Sequence, residues 1–209
     1  MDLKERNKSM KDFFNRKIDT YDEVHEKFMD TKQDLIDAID KSAVKILDLG
    51  AGTGRELECL YRLRENVSVT AIDISENMLE ELRKKSFGGK VNIICGDFFE
   101  VEFGSDYDAV ISTSALHHFL TDDKLRLYRK IYESLRENGE FINSDKIALS
   151  KEEEDTLLRE YYLYKDERAH CDTPLAVETE LELLRTAGFK DVTVDETHND
   201  NYRLIKARK

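Results

Sequence analysis

One segment constrains this chain more than any other: ILDLGAGTGRE, residues 46 to 56, in which a short apolar run passes through Gly50, Gly52 and Gly54 directly into a helical pattern. Glycines at that spacing remove side chains where the chain turns sharply, so a ligand can approach the backbone. The helix that follows offers unpaired N–H groups to an anion at its amino terminus. In an open parallel sheet, ligands bind in the crevice outside the carboxyl ends of the strands, and this loop falls at such an end. The spacing is G-x-G-x-G, whereas the dinucleotide fingerprint is G-x-G-x-x-G.

Two acids extend the pattern. Asp73 ends the next apolar run, VSVTAID, where a carboxylate can accept two hydrogen bonds from a ribose diol. Asp97, in CGDFFE, ends the run after that; its carboxylate can accept from an exocyclic amine while Phe98 packs on a ring and offers its N–H. Taken singly, each has an ordinary reading: a tight turn, a helix cap shared by Asp73 and Ser75, a Gly96-Asp97 turn. Together, at three successive strand ends, they describe one nucleoside pocket.

The order of elements supports such a crevice. Short apolar runs at 44–50, 67–73, 91–97, 107–113 and 139–145 read as strands, and helical patterns fall between most of them, which predicts parallel strands joined by crossover helices. Between residues 9 and 40, Phe14, Ile18, Tyr21, Val24, Phe28, Leu35 and Ile39 mark one or two amphipathic helices. A polar helix is expected over 150–167 and a packed one around Val177, Leu181, Leu184 and Ala187. The last two runs, 191–196 and 202–209, are joined by too few residues for a crossover helix, so they should be antiparallel neighbours. Thr53 with Glu56 and Ser150 with Glu153 have capping-box spacing, Ser75 suits an N-cap, and Asn138-Gly139 and Gly188 suit helix ends. The fold class is therefore α/β: a doubly wound, mostly parallel seven-stranded sheet with a reversed C-terminal strand, helices on both faces and an N-terminal helical lid. One domain is expected over 1–209, divided into a cap (1–42), a cofactor-binding core (43–148), a substrate-side insertion (149–175) and a last helix with hairpin (176–209).

Composition narrows the function. With 209 residues, a formal net charge of −12, and Lys and Arg interspersed among acids, the chain argues against nucleic acid as substrate. No apolar run approaches the roughly 20 residues of a membrane helix. The start, MDLKERNKSMKDFF, shows no secretion signal, which points to a cytoplasmic address. Cys59, Cys95 and Cys171 are widely spaced and form no CxxC pair, so reduced thiols are expected rather than disulfides or a zinc knuckle.

The ensemble resembles the class I S-adenosylmethionine (SAM)-dependent methyltransferase family. ILDLGAGTG looks like its glycine-rich cofactor motif, AIDIS its ribose acid, GDFF its adenine-side acid and YDAVISTSALHHF its fourth-strand segment; LYRKIYESLRENGEFINSD and the closing hairpin are also similar. The resemblance implies that Asp48 and Gly50 hold the amino acid end of SAM, with Ala51 and Gly52 in the same loop. It further implies that Asp73 takes the ribose hydroxyls, Asp97 with Phe98 the adenine, that Ile74 and Met78 flank the nucleoside, and that Ser112 neighbours the methionine portion. Tyr21 is a lid contact by the same analogy.

His117 and His118 sit just beyond the fourth strand, where either could take a proton from a nucleophile, since histidine titrates near neutrality. Two adjacent histidines do not make a metal site without further ligands, and none is expected. In the insertion, Tyr161, Tyr164, Arg168 and His170 could cover the pocket and choose the substrate. The activity implied is methyl transfer from SAM to a nucleophilic atom of a small-molecule acceptor by in-line displacement, with S-adenosylhomocysteine as product. The missing Asp/Asn-Pro-Pro-aromatic and Pro-Cys motifs also argue against a nucleic-acid acceptor. A non-enzymatic SAM-binding protein and an NAD-dependent oxidoreductase are the competing readings.

Overall fold

The structure, a computed structural model, describes residues 2–164 and 171–209. Seven strands, β1 (Lys45–Leu49), β2 (Ser68–Asp73), β3 (Val91–Cys95), β4 (Tyr107–Thr113), β5 (Leu135–Lys146), β6 (Lys190–Glu196) and β7 (Tyr202–Arg208), form one sheet in the order β3-β2-β1-β4-β5-β7-β6. The pairs β1/β2, β1/β4, β2/β3 and β4/β5 are parallel. β7 runs antiparallel to both β5 and β6, so it is the reversed strand the short final connection requires.

Two faces of the sheet are covered. Helices α2 (Met29–Ala38), α3 (Arg55–Leu63) and α4 (Glu76–Lys84) bury Leu35, Leu57 and Leu79 against Ile46 and Ile111. On the other face α5 (Thr121–Ser134) and α7 (Val177–Ala187) bury Leu127, Ile131 and Leu184 against Leu47, Val110 and Phe141. Neighbours in β1 thus go to opposite cores, Ile46 to one and Leu47 to the other, which is why parallel strands read as continuous apolar runs. Each fully buried leucine contributes about 1.5–3 kcal/mol relative to exposure. α1 (Leu3–His25) continues through a 3-10 turn (Glu26–Phe28) into α2, and α6 (Lys151–Tyr164) follows β5.

The local signals divide. Ser75 caps α4 by accepting from the Met78 N–H, and Gly188 closes α7 at φ +111. Ser150 accepts from the Glu153 N–H, but the Glu153 carboxylate takes the Leu149 N–H instead, so that capping box is half formed. Thr53 and Glu56 form none: Gly54 stands at the N-cap of α3 with φ +78, Thr53 Oγ1 donates to Asp22 in α1, and Glu56 pairs with Lys32 in α2. Asn138-Gly139 does not end a helix either. α5 stops at Ser134, and Asn138 at φ +61 lies inside β5, beside the register shift where Tyr107 pairs with Leu135 and Ala109 with Glu140.

Candidate active site

Strand order reverses between β1 and β4, and the crevice outside their carboxyl ends is where an open α/β sheet takes a ligand. After β1 the chain turns through Gly50 at φ +81 and Gly52 at φ +50, with the Gly50 and Ala51 N–H groups donating to the Ile72 carbonyl at 2.8 and 3.3 Å. The loop is thereby folded over the end of β2. A Cβ on Gly50 would stand 2.5 Å from the Ala115 side chain, so only glycine lets the loop touch the chain leaving β4. A Cβ on Gly52 would meet nothing nearer than Tyr21 at 3.9 Å: that position opens onto space.

The space is a crevice that, counted together with the solvent at its mouth, takes in about 650 Å³. Gly50, Gly52, Asp73, Asp97 and Phe98 share its wall, with Ile74 and Met78 beside them. The three strand-end elements therefore meet around a single volume. Asp73 Oδ2 accepts the Gly52 N–H at 2.9 Å and Oδ1 accepts the Ser75 N–H at 2.8 Å. Burial pushes the Asp73 carboxyl up to about 6, against the pull of hydrogen bonds from the backbone of Ser75, Gly52 and Ile74. Asp97 Oδ1 accepts from the Phe99 N–H at 2.9 Å and Oδ2 from Asn7 Nδ2 at 2.7 Å.

α1 is the roof, with Asn7, Met10, Phe14 and Tyr21 facing the cavity. It is tied to each loop below: Asn7 to Asp97 after β3, Asn15 to Ser75 after β2 (2.7 Å), and Asp22 to Thr53 after β1 (2.6 Å). Burial, with the nearby charges of Glu56, Asp73 and Asp22, raises the Tyr21 hydroxyl well above its usual range.

Residues present fit SAM. A carboxylate oxygen can accept two hydrogen bonds, so Asp73 and Asp97, each already held by protein donors, retain capacity for hydroxyl and amine donors. Ile74, Met78 and Phe98 supply apolar surface between them.

Three expected contacts lie elsewhere. Asp48 is fully buried on the α2–α3 side of β1 and off the cavity wall; burial and the negative charge of Glu56 hold its carboxyl well above the usual range. Ala51 points its side chain into the core beneath α2 and α3, leaving only backbone for a ligand. Ser112 is still inside the sheet, registered against Leu49 and Asn143, and its hydroxyl donates to the Leu49 carbonyl at 2.8 Å. Ser114, two residues on, reaches the wall instead, its Oγ donating to the Tyr202 hydroxyl at 3.1 Å.

A second chamber of about 880 Å³ shares Phe14, Tyr21, Ser114 and His118 with the first. Phe13, Val24, Phe28 and Tyr202 form its apolar side; His117, Lys146 and Asp172 form its polar end. His117 Nδ1 lies 2.5 Å from Asp145 Oδ1, while Asp145 Oδ2 accepts the N–H groups of Leu116 and His117 at 2.8 and 3.0 Å. Burial alone would raise the Asp145 carboxyl, but the charge and hydrogen bond of His117 outweigh it and bring it down to about 2. His118 Nδ1 meets the Cys171 carbonyl at 2.5 Å, and the two imidazole centroids are 3.9 Å apart.

From the insertion, Tyr161 is buried, Tyr164 is exposed, and neither lines a chamber. Arg168 and His170 lie outside the described residues. Asp172 is what this segment contributes, and no motif pointed to it. Asp145 was within reach of the reasoning that found Asp73 and Asp97, since it too ends an apolar run at a strand terminus.

Such a fold and cavity suit a nucleoside ligand, and known proteins name the class. Residues 46–139 match the family described as Methyltransferase domain. The chain is 28% identical over 200 residues to a carboxy-S-adenosyl-L-methionine synthase of Nautilia profundicola, covering 88% of this chain and 83% of that one. To the synthase of the same name from Campylobacter concisus it is 30% identical over 167 residues, covering 78% and 68%. Human N-acetylserotonin methyltransferase in complex with SAM shares the fold, with a TM-score of 0.72 at 22% identity; the match takes in 94% of this chain and 55% of that one. This chain belongs to the class I SAM-dependent methyltransferase family, and its cofactor is SAM. The NAD-dependent and non-enzymatic readings find no support among these relatives. Among the described residues no helix is long and apolar enough to cross a membrane.

Proposed function

We propose that the enzyme moves the SAM methyl group by in-line displacement onto a nucleophilic atom of a small-molecule acceptor held in the second chamber. What supports this most is the shared wall: Phe14, Tyr21, Ser114 and His118 border both chambers, so ligands in the two would abut. When bound, SAM supplies an electrophilic methyl group on a sulfonium sulfur. In this reading Asp73 holds the ribose hydroxyls, Asp97 and Phe98 the adenine, and the backbone at Gly50 and Gly52 the amino acid end, while Ile74 and Met78 pack against the nucleoside.

The chain's own task is orientation and dryness. Holding two reactants in line can remove roughly 7–11 kcal/mol of barrier, against about 3–5 kcal/mol for a general base worth 10² to 10⁴ in rate. α1, tied to all three loops, closes the cavity from above and keeps water from the reacting atoms. Phe13, Phe28 and Tyr202 suit an acceptor with a flat apolar body, and the end built by His117, His118 and Asp172 takes up its nucleophilic atom and the proton that leaves it.

Incubation with SAM and fractionated small-molecule extracts tests the proposal. It predicts release of S-adenosylhomocysteine together with an acceptor heavier by one CH2; release with no fraction would contradict it. A second reading, synthesis of carboxy-SAM, is favoured by the two synthases matched over most of this chain. Mass spectrometry separates the two, because there SAM itself would gain the mass of CO2.

A further inference from the structure

We infer that His117, His118 and Asp172 form a binding site for one divalent transition-metal ion at the polar end of the second chamber. One ligand atom from each of the three lies within 4.8 Å of the others. His117 Nε2 is 3.7 Å from Asp172 Oδ1, close to the roughly 3.4 Å that separates two ligands on a tetrahedral ion with bonds of about 2.1 Å. Two histidines adjacent in sequence lack a third ligand, and the fold supplies it from the segment between α6 and α7.

Hydrogen bonding prepares both rings for this role. His117 Nδ1 is held by Asp145, and His118 Nδ1 by the Cys171 carbonyl, which can only accept. In the neutral ring each proton therefore sits on Nδ1 and the lone pair on Nε2. A carboxylate or backbone carbonyl behind the distal nitrogen is the arrangement that orients metal-bound histidines and raises their basicity. Asp145 is itself fixed by two backbone N–H groups, so the ring it orients cannot swing.

Asp172 carries the complementary sign. Its Oδ2 accepts from Lys146 Nζ at 3.2 Å, but Oδ1 is buried and accepts no hydrogen bond among the described residues. A buried carboxylate oxygen without a donor calls for an explanation, and a bound cation is one. Two imidazoles with a single carboxylate oxygen suit zinc, iron, cobalt or nickel rather than magnesium or calcium, which take oxygen ligands. All three residues line the chamber, so an acceptor oxygen could reach a bound ion there, its proton then leaving to solvent rather than to these rings. The ion site itself does not depend on which acceptor is used.

Chelator-stripped protein titrated with Co(II), followed by visible absorption and calorimetry, tests the site. The expected result is one Co(II) per chain with a ligand-field band, and affinity reduced at least about tenfold by Asp172→Asn and by His118→Gln. His198→Gln, at an exposed histidine paired with Asp34 and not part of the chamber lining, should bind as the parent does. Far-UV circular dichroism establishes that each variant is folded. No saturable Co(II) binding to the parent, or equal affinity in folded Asp172→Asn, would overturn the inference.

Discussion

The backbone N–H of Gly52 donates to Asp73 Oδ2 at 2.9 Å, joining the glycine turn after β1 to the acid that ends β2. One carboxylate thereby shapes the loop and faces the cavity. Asp73→Ala removes an acceptor from Gly52 and from Ser75, at about 1–2 kcal/mol of stability. It also removes the acceptor of two ribose hydrogen bonds, each to a charged group and worth about 1.5–3 kcal/mol, so SAM affinity should fall roughly a hundredfold or more. Calorimetric titration of a variant shown to be folded checks this.

The same carboxyl predicts a pH dependence. In the cofactor-free fold its pKa is about 6, against 3.8 as the ordinary value, so the folded chain holds this proton over a range where the unfolded chain has released it. Its contribution to stability is therefore present below pH 3.8 and lost as pH rises through about 6. Cofactor affinity runs the other way, because the ribose diol needs the ionised form. The apparent Kd for SAM should rise about tenfold for each unit below pH 6, and Asp73→Asn should flatten that dependence.

Gly50→Ala tests the close approach of the two loops. The added methyl would lie 2.5 Å from the Ala115 side chain at a φ of +81. Left-handed strain costs about 1–3 kcal/mol before the collision is counted. At about 2–4 °C per kcal/mol for a domain of this size, Tm should drop by roughly 4–10 °C in a calorimetric scan. An unchanged Tm would mean the loop is not packed against Ala115.

Lys32 and Asp48 should behave as opposites. Lys32 Nζ lies 2.9 Å from Glu56 Oε2, both side chains are buried, and Asp48 is beside them. Lys32→Met strands the Glu56 charge next to a second acid and should cost about 3–5 kcal/mol. Asp48→Asn replaces a carboxyl that burial and Glu56 already hold toward its neutral form, so it should cost less than about 1 kcal/mol. Chemical denaturation of the two variants compares them.

Much of this fold was legible because parallel strands covered on both faces leave continuous apolar runs, and because Gly50, Asp73 and Asp97 each end such a run. Side-chain direction was harder. Alternation along β1 sends Leu47 and Leu49 toward α5 and α7, and so turns Asp48 to the opposite core and away from the ligand. Ser112 and Ser114 differ only in how far β4 extends, a matter of register against β1 and β5 that no local signal carries. Thr53 and Glu56 had the spacing of a cap, but partners in α1 and α2 claimed both. Asp172 had no signal at all, since only the folded chain carries it from after α6 to His117.

A crystal structure with S-adenosylhomocysteine bound tests the central claim most directly. The ribose hydroxyls should lie within hydrogen-bond distance of Asp73, the adenine beside Asp97 and Phe98, and the sulfur where Ser114 and His118 divide the two chambers. A nucleoside bound elsewhere, or one that touches none of Gly52, Asp73 and Asp97, would contradict it.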